Sequence, residues 1–379
     1  MIYNEYGKTG LKVSAISMGG MRFENPDDTE GCASLIKAAH DSGINYFDTA
    51  PGYGKSEELY GAAFKEMLKT RRKKPFYVAT KTFGGTPSDV RKDLETSLKR
   101  MGLEYIDFYH VWCIMSLDSY HERVRNGVVK EFEKLKAEGL IRHICISTHM
   151  AGADIKAMLA DYPFAGILLG YSIMNFAYRN EGVEAANSAD LGVAVMNPLG
   201  GGIIPQHPDR FAFVKTKPEE TVVEGALRFL INDRRITTSL VGFSNKTQLA
   251  EAICAVDGFE ELKEAEVSAI RDNLRKSFNE LCTTCGYCNI CPEKIPIPNL
   301  MEAFNHYSLS SMKPDALINR LKWHWGIELD DDVFFKCTKC GACEKKCTQH
   351  LPIRERLKII KAEVEKARVK KAEESNGDR

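Results

Sequence analysis

Short apolar runs alternate with longer amphipathic segments from residue 11 to residue 256, and this alternation restricts the fold more than any other feature of the chain. Eight of the runs are predicted to be β-strands, at residues 13–18, 44–48, 76–80, 106–110, 141–147, 166–169, 193–196 and 238–241. The segments between them have helical spacing, which indicates parallel βα units. Eight such units in about 250 residues predict a closed (β/α)8 barrel. An open doubly wound sheet is the alternative, but no Gly-x-Gly-x-x-Gly motif follows the first strand.

Eight of the twelve cysteines form two runs after this region. The first run is Cys282, Cys285, Cys288 and Cys291, followed by Pro292, and the second is Cys337, Cys340, Cys343 and Cys347, followed by Thr348. Three thiolates at x2 spacing can bind one cluster while the fourth reaches a second cluster, which is the pattern of a protein with two 4Fe-4S clusters. The crossover rule then predicts one cluster on Cys282, Cys285, Cys288 and Cys347, and the other on Cys337, Cys340, Cys343 and Cys291.

Zinc is the main alternative for these cysteines. Structural zinc sites usually take two C-x2-C pairs separated by a long loop, and the triple x2 runs fit that arrangement poorly. Disulfides are disfavoured because no secretory signal peptide is recognised. The remaining cysteines, Cys32, Cys113, Cys145 and Cys254, lie among apolar neighbours and are predicted to be buried core thiols.

Length and composition indicate one large domain and one small domain. The chain has 379 residues, of which 44% are hydrophobic, enough for a large core. We expect the barrel to occupy residues 1–258 and a ferredoxin-like domain with both cluster sites to occupy residues 259–379. The insert between the cysteine runs has helical spacing, so this second domain should be mostly helical, with a polar tail beyond residue 372.

The charge balance argues against some classes of partner. Fifty-two basic residues match fifty-two acidic ones, so we expect neither nucleic acid nor an anionic membrane as a partner. The apolar stretches are too short for a membrane span, and residues 1–10 are polar and turn-like. A cytoplasmic location is the resulting expectation.

Polar side chains with catalytic potential follow three consecutive predicted strands. Asp48 closes the second strand and Tyr53 lies in the loop after it, while Lys81 and His110 end the third and fourth strands. Catalytic residues of (β/α)8 barrels lie at the carboxyl ends of the strands. The four residues are therefore predicted to meet at one rim.

These residues resemble the catalytic tetrad of the aldo-keto reductases. The shared contexts are Asp-Thr-Ala-x-x-Tyr-Gly-x-Ser-Glu from Asp48, the pair Thr80-Lys81 and the pair Tyr109-His110. The chain as a whole is similar to a branch of that family with a C-terminal ferredoxin-like domain. The resemblance implies NADPH binding across the rim and hydride transfer between nicotinamide and a small carbonyl or alcohol substrate.

The resemblance also implies positions for the cofactor. Ser244, Lys246 and Gln248 match the segment that receives the adenosine 2'-phosphate, and Ser147 matches a serine that holds the carboxamide. Met196 takes the place of the usual nicotinamide-stacking tyrosine, and a thioether fixes a ring less rigidly. The other positions assigned to the cofactor are Gly20, Met21 and Asn197. NADPH is expected, and NADH stays open.

The chemistry assigns a role to each member of the tetrad. Tyr53 would give a proton to the carbonyl oxygen, and the Lys81 ammonium, held by Asp48, would lower the pKa of the phenol. His110 would donate a hydrogen bond to the substrate oxygen.

Three hypotheses account for the clusters. They serve structure or sensing in a carbonyl reductase, they couple the barrel to a ferredoxin or a flavin, or the chain is an electron carrier with an inactive barrel. The intact tetrad counts against the last hypothesis.

Overall fold

The computed structural model describes residues 1–150, 152–174, 176–277, 280–283 and 285–377, and the side chains at 176–178, 274–277, 323–324 and 370–377 lie outside the description. Two compact units make up the chain. The first comprises Met1–Leu199 with Phe211–Ser277, and the second comprises Gly200–Arg210 with Phe278–Arg379. Within the described residues no helix combines the length and the apolar character that crossing a membrane requires.

The first unit contains an antiparallel hairpin and a closed parallel barrel. The hairpin strands are β1 (Tyr3–Glu5) and β2 (Lys12–Ser14). The barrel strands are β3 (Ile16–Gly19), β4 (Tyr46–Asp48), β5 (Tyr77–Thr82), β6 (Ile106–Ile114), β7 (Ile141–Thr148), β8 (Gly166–Gly170), β9 (Gly192–Met196) and β10 (Thr238–Gly242). Each barrel strand pairs in parallel with the next, and β10 closes the barrel by pairing with β3. The predicted barrel is confirmed.

Helices follow the strands in the order that the sequence pattern predicts. They are α1 (Thr29–Asp41), α2 (Ser56–Met67), α3 (Pro87–Met101), α4 (Leu117–Arg125), α5 (Val128–Ala137), α6 (Gly152–Asp161), α7 (Phe176–Ser188), α8 (Ile203–Gln206), α9 (Val222–Ile231), α10 (Lys246–Asp257) and α11 (Glu264–Ser277). Helix α8 belongs to the second unit. Helix α11 belongs to the first unit, where it packs against the turn at Ala212–Val214. The division at Ser277 therefore differs from the boundary expected after residue 258.

The start of the chain differs from the sequence prediction. The apolar run at residues 13–18 contributes to two strands, because β2 ends at Ser14 and β3 begins at Ile16. Residues 1–10 are not merely turn-like, since β1 pairs with β2. The hairpin places Tyr6, which is fully buried, against Phe108 at 4.3 Å between ring centroids. Tyr6 thus fills the barrel end formed by the start of the strands.

The second unit is mostly helical, as predicted. Its remaining helices are α12 (Ile297–Leu309), α13 (Pro314–Asn319), α14 (Ala342–Lys345) and α15 (Ile353–Gly377). The buried carboxylate of Glu302 on α12 accepts hydrogen bonds from Trp325 Nε1 at 2.7 Å and from Arg320 Nε at 3.0 Å. Although burial acts in the opposite direction, these bonds and one with His306 lower the pKa of Glu302 to about 2. A charged carboxylate therefore joins α12 to the segment at residues 320–325.

Helix α15 is longer than the sequence analysis anticipated. It continues to Gly377, whereas a polar tail was expected beyond residue 372. The stretch before Gly377 contains Ala, Glu and Lys, which have high helix propensity. Polarity alone was therefore a poor guide to where this helix ends.

The close packing of Tyr6 against Gly192 predicts that a side chain at position 192 would destabilise the barrel. A Cβ atom at Gly192 would lie 2.1 Å from Tyr6 Cδ1, and the buried ring has little room to move. We expect Gly192→Ala to destabilise the barrel by about 1–3 kcal/mol, the usual cost of overpacking. Urea unfolding followed by far-UV circular dichroism measures the change. Gly258→Ala is the control because its Cβ would meet nothing within 4 Å, and equal midpoints for the two variants would contradict this account of the packing.

Candidate functional site

Strands β4, β5 and β6 bring three of the predicted catalytic residues together. His110 was predicted to end its strand, but it lies in the middle of β6, which continues to Ile114. Asp48 is the last residue of β4, and Lys81 and His110 are register partners on β5 and β6. Partners on neighbouring strands face the same side of a sheet, and side chains two residues apart on a strand share a face. The pair two residues earlier, Ala79 and Phe108, lies in the barrel core. Lys81 and His110 therefore face the barrel interior near the rim.

A buried ion pair lies beneath the rim. Lys81 Nζ donates to Asp48 Oδ1 at 2.6 Å and to the Thr49 carbonyl at 2.7 Å, and the Lys81 side chain is 0% exposed. Burial lowers the pKa of Lys81 and raises the pKa of Asp48, and their mutual attraction opposes both shifts. Removing one member of such a pair leaves an uncompensated buried charge. The pair therefore fixes the positions of both side chains.

Tyr53 lies above this pair in the loop between β4 and α2. Lys81 Nζ is 5.1 Å from the centroid of the Tyr53 ring. We expected the ammonium to lower the pKa of the phenol, but burial raises that pKa well above its ordinary value, and the Asp48 carboxylate adds to the effect. The expectation was wrong because burial of the phenol outweighs the attraction of a phenolate to Lys81, whose charge is already paired to Asp48. The phenol therefore stays protonated at neutral pH.

His110 completes the group and is neutral. Burial, together with the nearby Lys81 ammonium, lowers the pKa of His110 to about 3. Its Nδ1 is 3.4 Å from the Thr80 carbonyl oxygen, and its Nε2 has no hydrogen-bond partner among the described residues. The contact at Nδ1 is longer than the usual hydrogen bond of about 2.7–3.2 Å. Either tautomer is therefore accessible, and Nε2 is the atom left for a ligand.

Two aromatic side chains form a wall beside Tyr53, and neither was predicted to belong to the site. Trp112 presents its ring edge-on to Tyr53 at 5.5 Å and stacks on Phe83 at 3.7 Å. Trp112 is buried, whereas Phe83 is 49% exposed. The β6–β7 register shifts between Val111 and Ile114, so β6 bulges here. No pattern in the sequence indicates this bulge.

The four isolated cysteines divide into two groups. Cys32 and Cys145 are buried, as predicted. Cys254 is exposed and Cys113 is only partly buried, so the prediction was wrong for these two. Cys113 lies in the β6 bulge with a positive φ of 59°, and its thiolate would raise the pKa of Tyr53. The bulge is what moves Cys113 out of the core.

Five of the predicted cofactor positions lie on or beside the barrel strands. Gly20 donates its amide hydrogen to the Asp48 carbonyl at 2.8 Å, and a Cβ there would lie 2.2 Å from Ser56 Oγ. Met21 is 53% exposed and Ser147 is buried near the end of β7. Met196 ends β9, and Asn197 follows it with a positive φ of 57°.

The three positions predicted to receive a phosphate begin at Ser244, two residues before the first residue of α10. Asn245 is the N-cap of α10, and its side chain accepts from the Gln248 amide. The Ser244 amide donates to Gln248 Oε1 at 2.9 Å, and Lys246 Nζ donates to Ser34 Oγ at 2.9 Å. Ser244 was expected to begin the helix, but it lies in the preceding loop.

A further cation beside this loop was missed. The exposed Arg22 packs against Gly242, since a Cβ at Gly242 would lie 2.7 Å from Arg22 Cγ. Ser244 Oγ donates to the Arg22 carbonyl at 2.9 Å. Arg22 follows β3 and lies far from Lys246 in sequence, so only the closure of the barrel between β10 and β3 brings them to the same region.

The second unit groups the eight cysteines into two cavities. One cavity is lined by Cys282, Cys285, Cys288 and Cys347, and the other by Cys291, Cys337, Cys340 and Cys343. These are the sets that the crossover rule predicts. Burial raises the pKa of Cys288 to about 12, with the neighbouring Cys285 and Cys347 thiolates adding to the effect. We refer to the cavities as cavity I and cavity II, in that order, and each fits four thiolates around one cluster.

Two residues that support cavity I were missed. Asn305 on α12 donates through Nδ2 to the Cys282 carbonyl at 2.7 Å and accepts from the Cys282 amide at 2.8 Å. Thr348, at the position where proline often follows such a run, places its hydroxyl 3.3 Å from Cys285 Sγ. Asn305 lies between the cysteine runs in sequence, and no local motif marks it.

Both the barrel and the cysteine-rich region resemble known protein families. The model of the "Aldo/keto reductase family" matches residues 15–275, and that of the "4Fe-4S dicluster domain" matches residues 281–351. L-galactose dehydrogenase of Arabidopsis thaliana is 28% identical over 294 residues, which cover 68% of this chain and 88% of that protein. Probable aldo-keto reductase 1 of Glycine max is 28% identical over 273 residues, covering 66% and 74% respectively.

Structural comparison supports the same fold. An aldo-keto reductase from Bacillus halodurans, in its holo form, aligns with a TM-score of 0.62 at 24% identity, covering 72% of this chain and 96% of that one. The family match spans more than half of the chain and includes the whole barrel. This chain therefore belongs to the aldo/keto reductase family of NAD(P)H-dependent oxidoreductases, with a 4Fe-4S dicluster domain after its barrel.

Proposed function

We propose that this chain uses NADPH to reduce a small carbonyl substrate, or oxidises the corresponding alcohol, at the rim formed by Asp48, Tyr53, Lys81 and His110. The observation that carries the proposal is the buried Lys81–Asp48 pair, 2.6 Å long, with the Tyr53 ring above it. NADPH, when bound, would supply the hydride. The four side chains would hold the substrate and move its proton.

Tyr53 is the proposed acid for the carbonyl oxygen. A general acid must hold its proton until charge develops on the substrate, and burial keeps the Tyr53 phenol protonated by raising its pKa. When the proton leaves, Lys81 at 5.1 Å from the ring centroid favours the phenolate that remains. Asp48 holds Lys81 in this position and does not touch the substrate in this scheme.

His110 is the proposed orienting group. In the Nε2–H tautomer it donates a hydrogen bond to the substrate oxygen and stabilises the negative charge that develops there. Its low pKa, about 3, means that it does so as a neutral imidazole. Trp112 and Phe83 give the site an apolar wall next to Tyr53, which suits a substrate whose body is apolar.

Preference for NADPH over NADH rests on two cations near the start of α10. The Lys246 ammonium donates a hydrogen bond to a neutral hydroxyl, Ser34 Oγ, and forms no ion pair within the described residues. Arg22 lies against Gly242, two residues before Ser244. An adenosine 2'-phosphate would place its charge between a helix N-terminus and these side chains. Gly20, Met21, Ser147, Met196, Asn197 and Gln248 complete the proposed cofactor site.

We propose two 4Fe-4S clusters, one in each cavity of the second unit. The first would take Cys282, Cys285, Cys288 and Cys347 as ligands, and the second would take Cys291, Cys337, Cys340 and Cys343. The crossed pattern of the cavity linings supports this assignment. Structural, sensing and electron-transfer roles are all compatible with these sites.

A second function, electron exchange with an external carrier such as a ferredoxin, is favoured by one observation. Cys340 is exposed, so cavity II reaches the protein surface. A hydride carries two electrons and each cluster takes one, so such coupling would deliver the pair in two steps, with a flavin as one possible converter. The barrel would then serve oxidation or reduction of the same small substrates.

Replacing the proposed acid tests the main proposal. Tyr53→Phe should lower kcat for NADPH-dependent reduction of small aldehydes by about 10²–10⁴-fold, the usual contribution of a positioned acid. Iron and sulfide content should not change, because Tyr53 is remote from the cysteines in sequence and lies in the barrel unit. Tyr77→Phe on β5 is the matched control and should keep full activity. Unchanged turnover in Tyr53→Phe would contradict the assignment.

Nucleotide preference has a separate test. Lys246→Gln should raise the Kd for NADPH about tenfold, which corresponds to ~1.4 kcal/mol, because one charged contact to the phosphate is lost. The Kd for NADH should stay the same, since NADH lacks that phosphate. Fluorescence titration gives both constants, and Lys37→Gln on α1 serves as a control for a lost surface charge. Equal changes for the two nucleotides would contradict a phosphate site at Lys246.

A further inference from the structure

Arg356 is a buried cation beside cavity I, and none of the roles described so far involves it. Its side chain is 5% exposed. Nη2 donates to the Glu280 carbonyl at 2.6 Å, and the guanidinium lies over the Phe304 ring at 4.8 Å. Nη1 is buried and has no hydrogen-bond partner among the described residues. A buried guanidinium with an unused donor is costly unless another group accepts from it.

The position of Arg356 on α15 relates it to the proposed cluster in cavity I. Ile353 lines cavity I, and Arg356 lies one helical turn later on the same face. Glu280, whose carbonyl holds the guanidinium, is two residues before Cys282. Phe304, beneath the guanidinium, is adjacent in sequence to Asn305, which binds the Cys282 backbone. The side-chain contacts with Glu280 and Phe304 therefore place Arg356 next to the Cys282 side of cavity I.

Glu280 also offers its carboxylate to Arg356. Glu280 Oε2 is 3.7 Å from Arg356 Nη2, and the Glu280 side chain is 81% exposed, so solvent screens this ion pair. Nη1 takes no part in the pair and stays without a hydrogen-bond partner among the described residues.

Cavity II is also lined by an arginine, but that arginine is more exposed and forms an ion pair. Arg354 and Leu357 line cavity II, so α15 runs between the two cavities. Arg354 is 48% exposed, and its Nε donates to Glu344 Oε2 at 2.6 Å. Its charge is therefore paired and screened by solvent. Of these two arginines, Arg356 is the buried one, and its Nη1 has no hydrogen-bond partner among the described residues.

We propose that Arg356 sets the reduction potential of the cluster in cavity I by donating Nη1–H to one of its sulfur atoms and by placing a positive charge next to it. This inference rests on the proposed cluster sites. One-electron reduction changes the total charge of a four-thiolate 4Fe-4S cluster from −2 to −3, and burial disfavours that added charge. A nearby buried cation and a hydrogen bond to sulfur both stabilise the reduced form. Arg356 therefore raises the potential of this cluster above the value that burial alone would give.

The test is a redox titration of the full-length protein. The protein is purified without oxygen, iron and sulfide are counted, and the clusters are reduced stepwise with dithionite while electron paramagnetic resonance records two midpoints. In Arg356→Gln one midpoint should fall and the other should stay unchanged. Arg356→Lys keeps the charge and should restore most of the lost potential. Arg354→Gln, the matched control, should leave the midpoint that responds to Arg356 unchanged.

The possible results distinguish a failure of the proposed cluster sites from a failure of the role proposed for Arg356. A wild-type protein without eight iron and eight sulfide per chain, the content of two cubane clusters, would contradict the cluster sites themselves. Full cluster content with both midpoints unmoved in Arg356→Gln would contradict the role of Arg356. If Arg356→Gln loses its iron, wild-type protein labelled with ¹⁵N-arginine replaces it. Pulsed resonance of the reduced protein should then show one arginine nitrogen coupled to a cluster, and no such coupling would overturn the inference.

Discussion

The buried pair of Lys81 and Asp48 is the constraint on which the catalytic rim depends. A lysine with no exposed surface is stable as a cation only when a carboxylate and a carbonyl surround its ammonium, as Asp48 and Thr49 do here. Those partners come from β4 and the residue after it, and the lysine comes from β5. The pair therefore forms only when the two strands are in register, and it places Tyr53 where a reacting carbonyl would need its acid.

Folding of the second unit depends on a different constraint, because cysteines form part of its hydrophobic core. Cys282, Cys288, Cys343 and Cys347 belong to the same buried cluster of side chains as the apolar residues of α12 and α15. Burial raises the pKa of the Cys288 and Cys347 thiols. We infer that cluster binding and folding of this unit are coupled, because ligation requires thiolates and positions the segments that carry them.

Much of this architecture could be predicted from the sequence, and the exceptions have physical reasons. The βα alternation predicted the barrel, the x2 spacing predicted both cysteine sets that the cavities bring together, and strand ends predicted the positions of Asp48 and Lys81. His110 lies in the middle of β6, because that strand continues to Ile114. The β6 bulge that aims Trp112 at Tyr53 depends on a register shift, and the shift leaves no local pattern. The direction of the Tyr53 pKa shift was mistaken because burial and the pairing of Lys81 exist only in the folded chain. Asn305 and Arg356 act through contacts distant in sequence, so neither was predicted.

We propose that hydride passes directly between nicotinamide and substrate at the barrel rim, without passing through the clusters. The most direct measurement is anaerobic turnover of an aldehyde with NADPH that carries deuterium at the transferable C4 position, followed by mass spectrometry of the alcohol. Direct transfer predicts one deuterium on the carbinol carbon of every product molecule. An unlabelled alcohol, with the deuterium recovered in water, would show that the electrons and the proton travel separately and would contradict the account.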